Sequence, residues 1–298
     1  MHLMITAKST ADKWFDTLNI LVLSGFALLI LYPLYFVVIA SVSEPDHIYA
    51  GKVWIWPKGF TLEGYSRILS DPQIWTGYGN SIIYAAASAL ISVALTIGAA
   101  YPLSRKDFYG RNVFMLFFVF TMFFSGGLIP TYLLVKKLGM VDTIWSVILP
   151  SAVDAFGIII ARTFFQSTIP DELREAAFMD GCKNTRFLWS IVIPLSKPII
   201  AVLVLFAVVR QWNGFFDALI YLENEKLYPL QLVLRNILVQ SQPIGDMVSD
   251  IDSLLAKQRV SELIKYGVIL IAAGPLLILY PFLQRYFVKG VLIGSVKG

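Results

Sequence analysis

Six stretches of nearly continuous apolar residues organise the chain: Leu18–Val42, Ser81–Leu103, Val113–Val135, Thr143–Phe165, Ile199–Leu222 and Ile264–Phe287. Each has roughly the 20 residues a helix needs to cross a hydrocarbon core about 30 Å thick. Lipid offers no partner to exposed backbone N–H and C=O groups, so helices are the elements expected. The pattern predicts an all-α membrane protein, one transmembrane domain over residues 1–298 with six spans. Lys8 and Lys13 precede the first stretch as they would in a signal peptide. That stretch is too long for an h-region and no A-x-A pattern follows it, so it is expected to stay as an anchor.

Helix breakers recur inside the spans. Ser125-Gly126-Gly127 and Pro130 interrupt the third, Gly274-Pro275 and Pro281 the sixth, and Pro33 the first. Ordinary kinking is the expectation, since neighbouring helices re-satisfy the freed backbone groups. The competing reading is a set of flexible points for a moving protein.

Six crossings place both termini on one side. If that side is cytoplasmic, the inside segments 1–17, 104–111, 162–197 and 285–298 hold 13 Lys+Arg and 7 Asp+Glu. The outside segments 43–78, 136–142 and 223–263 hold nine Lys+Arg against 11 acids. Positive charge gathers on the cytoplasmic side, so both termini are expected there. Lys136 and Lys137, in a short outside loop, weaken the asymmetry.

Composition narrows the function classes. The chain is 57% hydrophobic and 15% charged with a mean hydropathy of +0.70, too little charge to cover a soluble domain. Its net charge of +4 does not signal nucleic acid, because no basic run interleaved with aromatics lies outside the apolar stretches. One cysteine, Cys182, excludes an internal disulfide and a cysteine-based metal cluster, and is expected to be an inert thiol. His2 and His47 lie far apart, so no zinc site is expected. No G-x-x-x-x-G-K-[ST], G-x-S-x-G or H-E-x-x-H is present, so no catalytic residue, cofactor or ATP site is expected on this chain. Trp54, Trp56, Tyr65, Trp75 and Tyr78 read as interfacial anchors in preference to a sugar platform.

The most specific segment lies between the fourth and fifth spans, in the loop 166–197. Thr168 can cap a helix that starts near Pro170, and Asp171 and Glu172 complement the positive end of its dipole. Gly181 suits the left-handed residue that stops it. Ala176-Ala177 leaves a low-profile face for another protein. A second short helix is expected from Asn184-Thr185, ended by Ile193-Pro194 and Lys197-Pro198.

The run Glu175-Ala176-Ala177, three residues, Gly181, nine residues, Ile191, one residue, Ile193-Pro194 resembles the EAA motif of binding-protein-dependent ABC importer permeases. Ile193 stands where that family usually has Leu. Further resemblance to the maltose-type carbohydrate-uptake permeases runs through Trp56–Tyr65, Asn80-Ser81, Ala100–Arg105, Gln211-Trp212-Asn213, and Tyr286–Gly290 with Gly294–Gly298. Within that family the chain is most similar to the lipoprotein/polysaccharide branch, which includes permeases for alginate-like oligosaccharides. The resemblance implies a coupling helix in which Glu175, Ala176, Ala177, Asp180, Gly181, Ile191 and Pro194 meet an ATPase subunit. It also implies a homologous second permease, two ATPase subunits that bind the ATP, an extracytoplasmic solute-binding protein and residence in the bacterial inner membrane. This chain would be the smaller, maltose-G-like partner, with its C-terminal tail reaching toward the ATPases and Lys183 and Arg186 toward their acidic patches. The loop Glu223–Lys257, with a turn at Ser241-Gln242-Pro243-Ile244-Gly245, would probe the binding protein; on sequence alone a disordered connector is the equal alternative.

Charges inside spans usually pair or face water. Asp154 falls mid-way along the fourth span, Arg210 mid-way along the fifth, and Asp217 two turns beyond. One reading pairs Arg210 with Asp154, or sets it on the side of Asp217. The other makes Arg210, Gln211, Trp212, Asn213 and Asp154 the wall of a solute path, where arginine would suit a carboxylate-bearing sugar. Two further function classes compete with the importer. An ion-gradient-driven transporter would want inverted repeats and more membrane acids; a scaffold would leave the Glu175–Pro194 segment without a purpose.

Overall fold

The computed structural model describes residues 9–240, 259, 261 and 263–278. The chain falls into two compact units, residues 1–70 with 238–271 and residues 71–237 with 272–298. Among the described residues the regular elements are helices, and strand pairing is confined to a single bridge between Ser43 and Phe60.

The first unit is built on α1 (Thr10–Ser41), 32 residues and so about 48 Å long. Ser9 opens it by donating its backbone N–H to Asp12 Oδ2 at 3.1 Å. Only Ile39, Ala40 and Ser41 are buried; Leu28, Leu29 and their apolar neighbours face outward, as suits a helix solvated by lipid. Beyond it, α2 (Pro45–Tyr49) and α3 (Glu63–Leu69) fold a polar cap. Tyr32 donates to the Trp54 carbonyl at 3.3 Å, Tyr35 to that of Ile55, and Tyr65 to Ser41 Oγ at 2.8 Å. Gly64 meets the backbone of Leu263, whose carbonyl would lie 2.3 Å from an added Cβ, so only glycine permits that approach.

The second unit centres on α4 (Pro72–Ser104). Asp71 caps it, accepting the Gln73 N–H at 2.8 Å, with Pro72 in the first turn. Its buried positions, among them Gly77, Ser81, Ala85, Ser88, Ser92, Thr96 and Ala100, recur every three or four residues. This is a helical stripe of small side chains that lets backbones approach closely. Around its far end pack α8 (Ala155–Thr168) and α12 (Lys197–Asn213), sharing a core of Ile97, Tyr101, Ile158, Phe164, Phe165, Ile199 and Leu203. Leu90, Ile82 and Ile83 face outward.

Three of the expected spans are broken rather than kinked. The third becomes α5 (Arg111–Phe123) and α6 (Leu128–Lys137), bent by 112° across a break in which Gly127 adopts φ +86°. The fourth becomes α7 (Ile144–Ile148) and α8, separated where Pro150 denies an N–H to the helix ladder. The fifth ends at Asn213 and resumes as α13 (Phe216–Tyr221). Among the described residues two helices, α1 and α4, are long and apolar enough to cross a membrane unbroken, or up to four spans if each bent pair counts as one. Of the sixth stretch, Leu263–Ile278 (here α15) is described as helix; its remainder and the C-terminal motif from Tyr286 lie outside the described residues.

Candidate functional site

The segment after the fourth span forms α9 (Asp171–Met179), which has no buried residue. Thr168 does not cap it, because α8 runs through that residue. Pro170 takes the cap position with extended backbone and no side-chain acceptor, while Asp171 and Glu172 fill the first turn. The end of α9 is a full Schellman stop. Gly181 sits at φ +77°, the Cys182 N–H donates to the Ala177 carbonyl at 3.0 Å, and the Gly181 N–H to that of Phe178 at 2.9 Å.

The two alanines divide the helix between them, contrary to a shared outward face. Ala177 and Cys182 turn inward and pack on the core of α4, α8 and α12. Glu175, Ala176, Met179, Asp180 and Gly181 are exposed, Met179 at 88%. Ile191 packs against the same core and Pro194 is exposed. The second helix ends where the Ile193-Pro194 and Lys197-Pro198 pairs bracket it, after Leu195. It runs as α10 (Asn184–Phe187), a π-helical turn (Leu188–Val192) and α11 (Ile193–Leu195), then bends by 81° into α12. Pro194 follows directly on the π-helical turn, where the backbone ladder is already rearranged.

Side chains fasten α9 to the turn that follows α4. Lys106 Nζ lies 2.9 Å from Asp171 Oδ2, and Arg174 Nη1 lies 2.6 Å from Asp107 Oδ2. The hydrogen bond from Lys106 holds the Asp171 carboxyl below its ordinary range, and the same bond raises the Lys106 ammonium. From α8, Arg162 Nε donates to the Leu103 carbonyl at 3.0 Å and Gln166 to that of Ser104 at 3.4 Å. These are end carbonyls of α4, which has no basic residue in its own last turn, so Arg162 supplies the missing cation. A cleft of about 370 Å³ opens here, lined by Tyr101, Arg105, Arg111, Gln166 and the start of α9. The sequence foretells none of these ties: 104–111 is expected as an inside loop and Ala100–Arg105 carries a family resemblance, and the charged run Arg105-Lys106-Asp107 is the one local signal of them.

The helix breaks bring a second group together. Arg210 Nη2 lies 2.8 Å from Asp154 Oδ2, and Arg210 Nη1 donates to the Ser151 carbonyl at 3.3 Å. Asp154 is the residue from which α8 starts, and Gly157 leaves room for its carboxylate, 3.1 Å from where a Cβ would stand. Arg210 therefore pairs with Asp154 across two helices, with Asp217 on α13. The run 210–213 does not line one surface. Gln211 and Trp212 are buried, Trp212 donating to the Ala272 carbonyl at 3.0 Å and lying 6.1 Å from the Tyr78 ring. Arg210 and Asn213, one turn apart, share the exposed side.

At the opposite end of α4, the chain from Leu222 to Leu230 is pinned. Asn80 donates to the Lys226 and Tyr228 carbonyls at 2.8 and 3.0 Å, Tyr84 to that of Leu227 at 2.7 Å, and Ser81 Oγ accepts the Leu230 N–H at 2.8 Å. Asp142 Oδ1 accepts the N–H groups of Glu223 and Asn224 at 3.0 and 2.9 Å. The loop then enters α14 (Leu230–Gln240). Ser241, Gln242, Pro243, Ile244 and Gly245 lie outside the described residues.

Broken apolar helices, with a short exposed helix seated on the turn that follows α4, are the features the geometry leaves to be placed. The comparisons give the particular family. Residues 4–293 match the model of the binding-protein-dependent transport system inner membrane component, and the chain belongs to that family. Protein LplC of Bacillus subtilis is 40% identical over 298 residues, covering 100% of this chain and 99% of that protein. The polygalacturonan/rhamnogalacturonan transport system permease protein YtcP of the same organism is 39% identical, covering 96% of this chain and 99% of its own length. A chain from the crystal structure of a bacterial ABC transporter involved in the import of the acidic polysaccharide alginate superposes with a TM-score of 0.83 at 33% identity, covering 94% of this chain and 99% of that one. The chain is thus a permease subunit of an ABC importer, which removes the ion-gradient reading.

Proposed function

We propose that this permease carries an acidic oligosaccharide inward, delivered by a solute-binding protein and driven by ATP hydrolysis on separate subunits. The observation that carries the acidic assignment is Arg210, a cation at a helix break, 41% exposed and held in place by Asp154. Its planar fork matches a carboxylate bidentately, and broken helices within apolar spans are tolerated only where they are buried in protein or line a water-filled cavity. Arg210, Asn213 and Asp154 would face the path, with Gln211 and Trp212 as its packing. Support comes from the relatives named for polygalacturonan/rhamnogalacturonan and for the acidic polysaccharide alginate.

In this reading α9 lies on the cytoplasmic side with both termini and docks in an ATPase subunit through Glu175, Ala176, Asp180 and Gly181. A second, homologous permease completes the pore, and the six-span count belongs to this proposal. Proteoliposomes holding the full complex and its binding protein test it. Uptake of labelled oligogalacturonate should require internal ATP, persist without an ion gradient and exceed uptake of a neutral oligosaccharide of equal length. Equal uptake of both sugars would remove the acidic assignment, and uptake without ATP the importer mechanism.

A further inference from the structure

The turn 105–110 between α4 and α5 grips α9 at two neighbouring residues, Lys106 and Asp107. Asp107 works in two directions. Its Oδ2 meets Arg174 Nη1 at 2.6 Å, and its Oδ1 accepts from Arg105 Nε at 3.2 Å and Nη2 at 3.3 Å. The side chains of Arg105 and Arg174 are only 12% and 18% exposed, whereas that of Asp107 is 59% exposed. One hydrated carboxylate thus bridges two cations that have given up most of their water. Removing it would leave both charges without their bridging partner in a poorly solvated place.

The bridge extends further. The Arg105 carbonyl accepts from Arg111 Nη1 at 3.1 Å, at the first residue of α5. On the other side, the Arg174 guanidinium lies 5.3 Å from the Phe178 ring centre, which fixes the fork along α9. A polar chain therefore runs from α9 through Arg174, Asp107, Arg105 and Arg111 to the end of α4 and the start of α5. It does not use the backbone connection of α9 to α8.

We propose that Asp107 is a positioning residue that clamps α9 to the α4–α5 turn, so that force applied to α9 moves α4 and α5 with it. The assignment rests on α9 being the ATPase-docking helix. An isolated surface pair would be too weak for this task; the burial of both arginines gives the clamp its stiffness, and the exposed Lys106–Asp171 pair only adds to it. Without Asp107, α9 keeps its backbone link, its Lys106–Asp171 pair, the Phe178–Phe187 ring contact and its apolar roots at Ala177 and Cys182.

The test is the amount of solute moved per ATP hydrolysed by the complete reconstituted complex. Asp107→Asn should still co-purify with the ATPase and hydrolyse ATP, while the transport-to-hydrolysis ratio falls by about three- to tenfold. Asp107→Glu should restore most of the ratio, which a mere folding role for the loop would not require. Should Asp107→Asn fail to assemble, the exchange Lys106→Asp with Asp171→Lys is read instead: each single change should lower the ratio and the pair recover it. An unchanged ratio in Asp107→Asn, or no recovery in the exchanged pair, overturns the clamp. Glu175→Lys separates the clamp from the docking reading. If Glu175→Lys leaves ATPase recovery and coupling intact, the docking reading fails; if it abolishes them while Asp107→Asn changes nothing, only the clamp fails.

Discussion

Arg210 and Asp154 form a 2.8 Å ion pair between α12 and the first residue before α8, in segments of the sequence that are otherwise apolar. Breaking a buried pair by removing one partner costs about 3–5 kcal/mol. These side chains are 41% and 23% exposed, so a loss of roughly 1–2 kcal/mol is the expectation after solvent screening. Arg210→Gln and Asp154→Asn should each destabilise the detergent-solubilised complex by that amount. The double variant should recover more than half, because neither charge is then left alone. Uptake is measured separately. Loss of acidic-sugar uptake in the double variant, with assembly restored, is the expected sign of solute contact. Recovery of uptake along with stability would reduce the pair to a structural one.

Asp142 adopts φ +58° and holds the entry to the pinned segment through two backbone N–H groups. Asparagine keeps an acceptor and tolerates the left-handed region, glycine keeps only the backbone freedom, and alanine keeps neither. The predicted order of stability is Asp142→Asn, then Asp142→Gly, then Asp142→Ala, with alanine costing about 2–3 kcal/mol. Thermal unfolding of the three variants reads the order directly. An alanine variant as stable as the asparagine one would mean the lock contributes nothing.

The apolar runs were legible because lipid imposes one periodicity and one length on any crossing element. That rule placed the C-terminal ends of α1 and α4 to within a residue but put their starts eight and nine residues too late, because the polar first turns fall outside an apolar run. It could not foresee that the third and fourth stretches break, since Gly126-Gly127 and Pro150 permit a sharp turn without requiring it. The α9 stop was readable from Gly181 because a left-handed cap has a strong residue preference. Its inward and outward faces were not, because Ala176 and Ala177 are chemically identical and only the position of the core tells them apart. The Asp107 bridge joins residues 67 apart, and nothing local marks such a pairing.

Gly181 is the residue that lets the chain leave α9 and turn Cys182 back onto the core. A side chain in the left-handed region costs roughly 1–2 kcal/mol. Gly181→Val should therefore fray the end of α9 while leaving the distant α4–α12 packing in place. Cleavage by trypsin at Lys183 and Arg186, which are exposed, should speed up about five- to thirtyfold, following the free energy of local opening. Gly181→Asn, which tolerates the same conformation, should stay nearer to the native rate. Equal cleavage of all three proteins would show that the cap does not control this end of the helix.

The Lys106–Asp171 tie should respond to salt and not to pH near neutrality. The bond from Lys106 lowers the Asp171 carboxyl below its ordinary 3.8. A depressed carboxyl contributes stability that is present above its unfolded value and lost as pH falls through the folded one. Lys106 is raised above its ordinary 10.5, so its contribution is present below that value and lost as pH rises through the folded one. Both signs leave the tie intact from about pH 5 to pH 9. Its two ends are well exposed, 80% at Lys106 and 41% at Asp171, so counterions reach them freely. The screening length shortens from about 8 Å at physiological ionic strength to about 3 Å at 1 M. Solute moved per ATP is therefore predicted to be as flat in Asp171→Asn as in the native protein between pH 6 and 8.5. Concentrated KCl should lower the native ratio toward that of the variant. A native titration midpoint inside that pH range, absent from Asp171→Asn, would contradict the assigned pair.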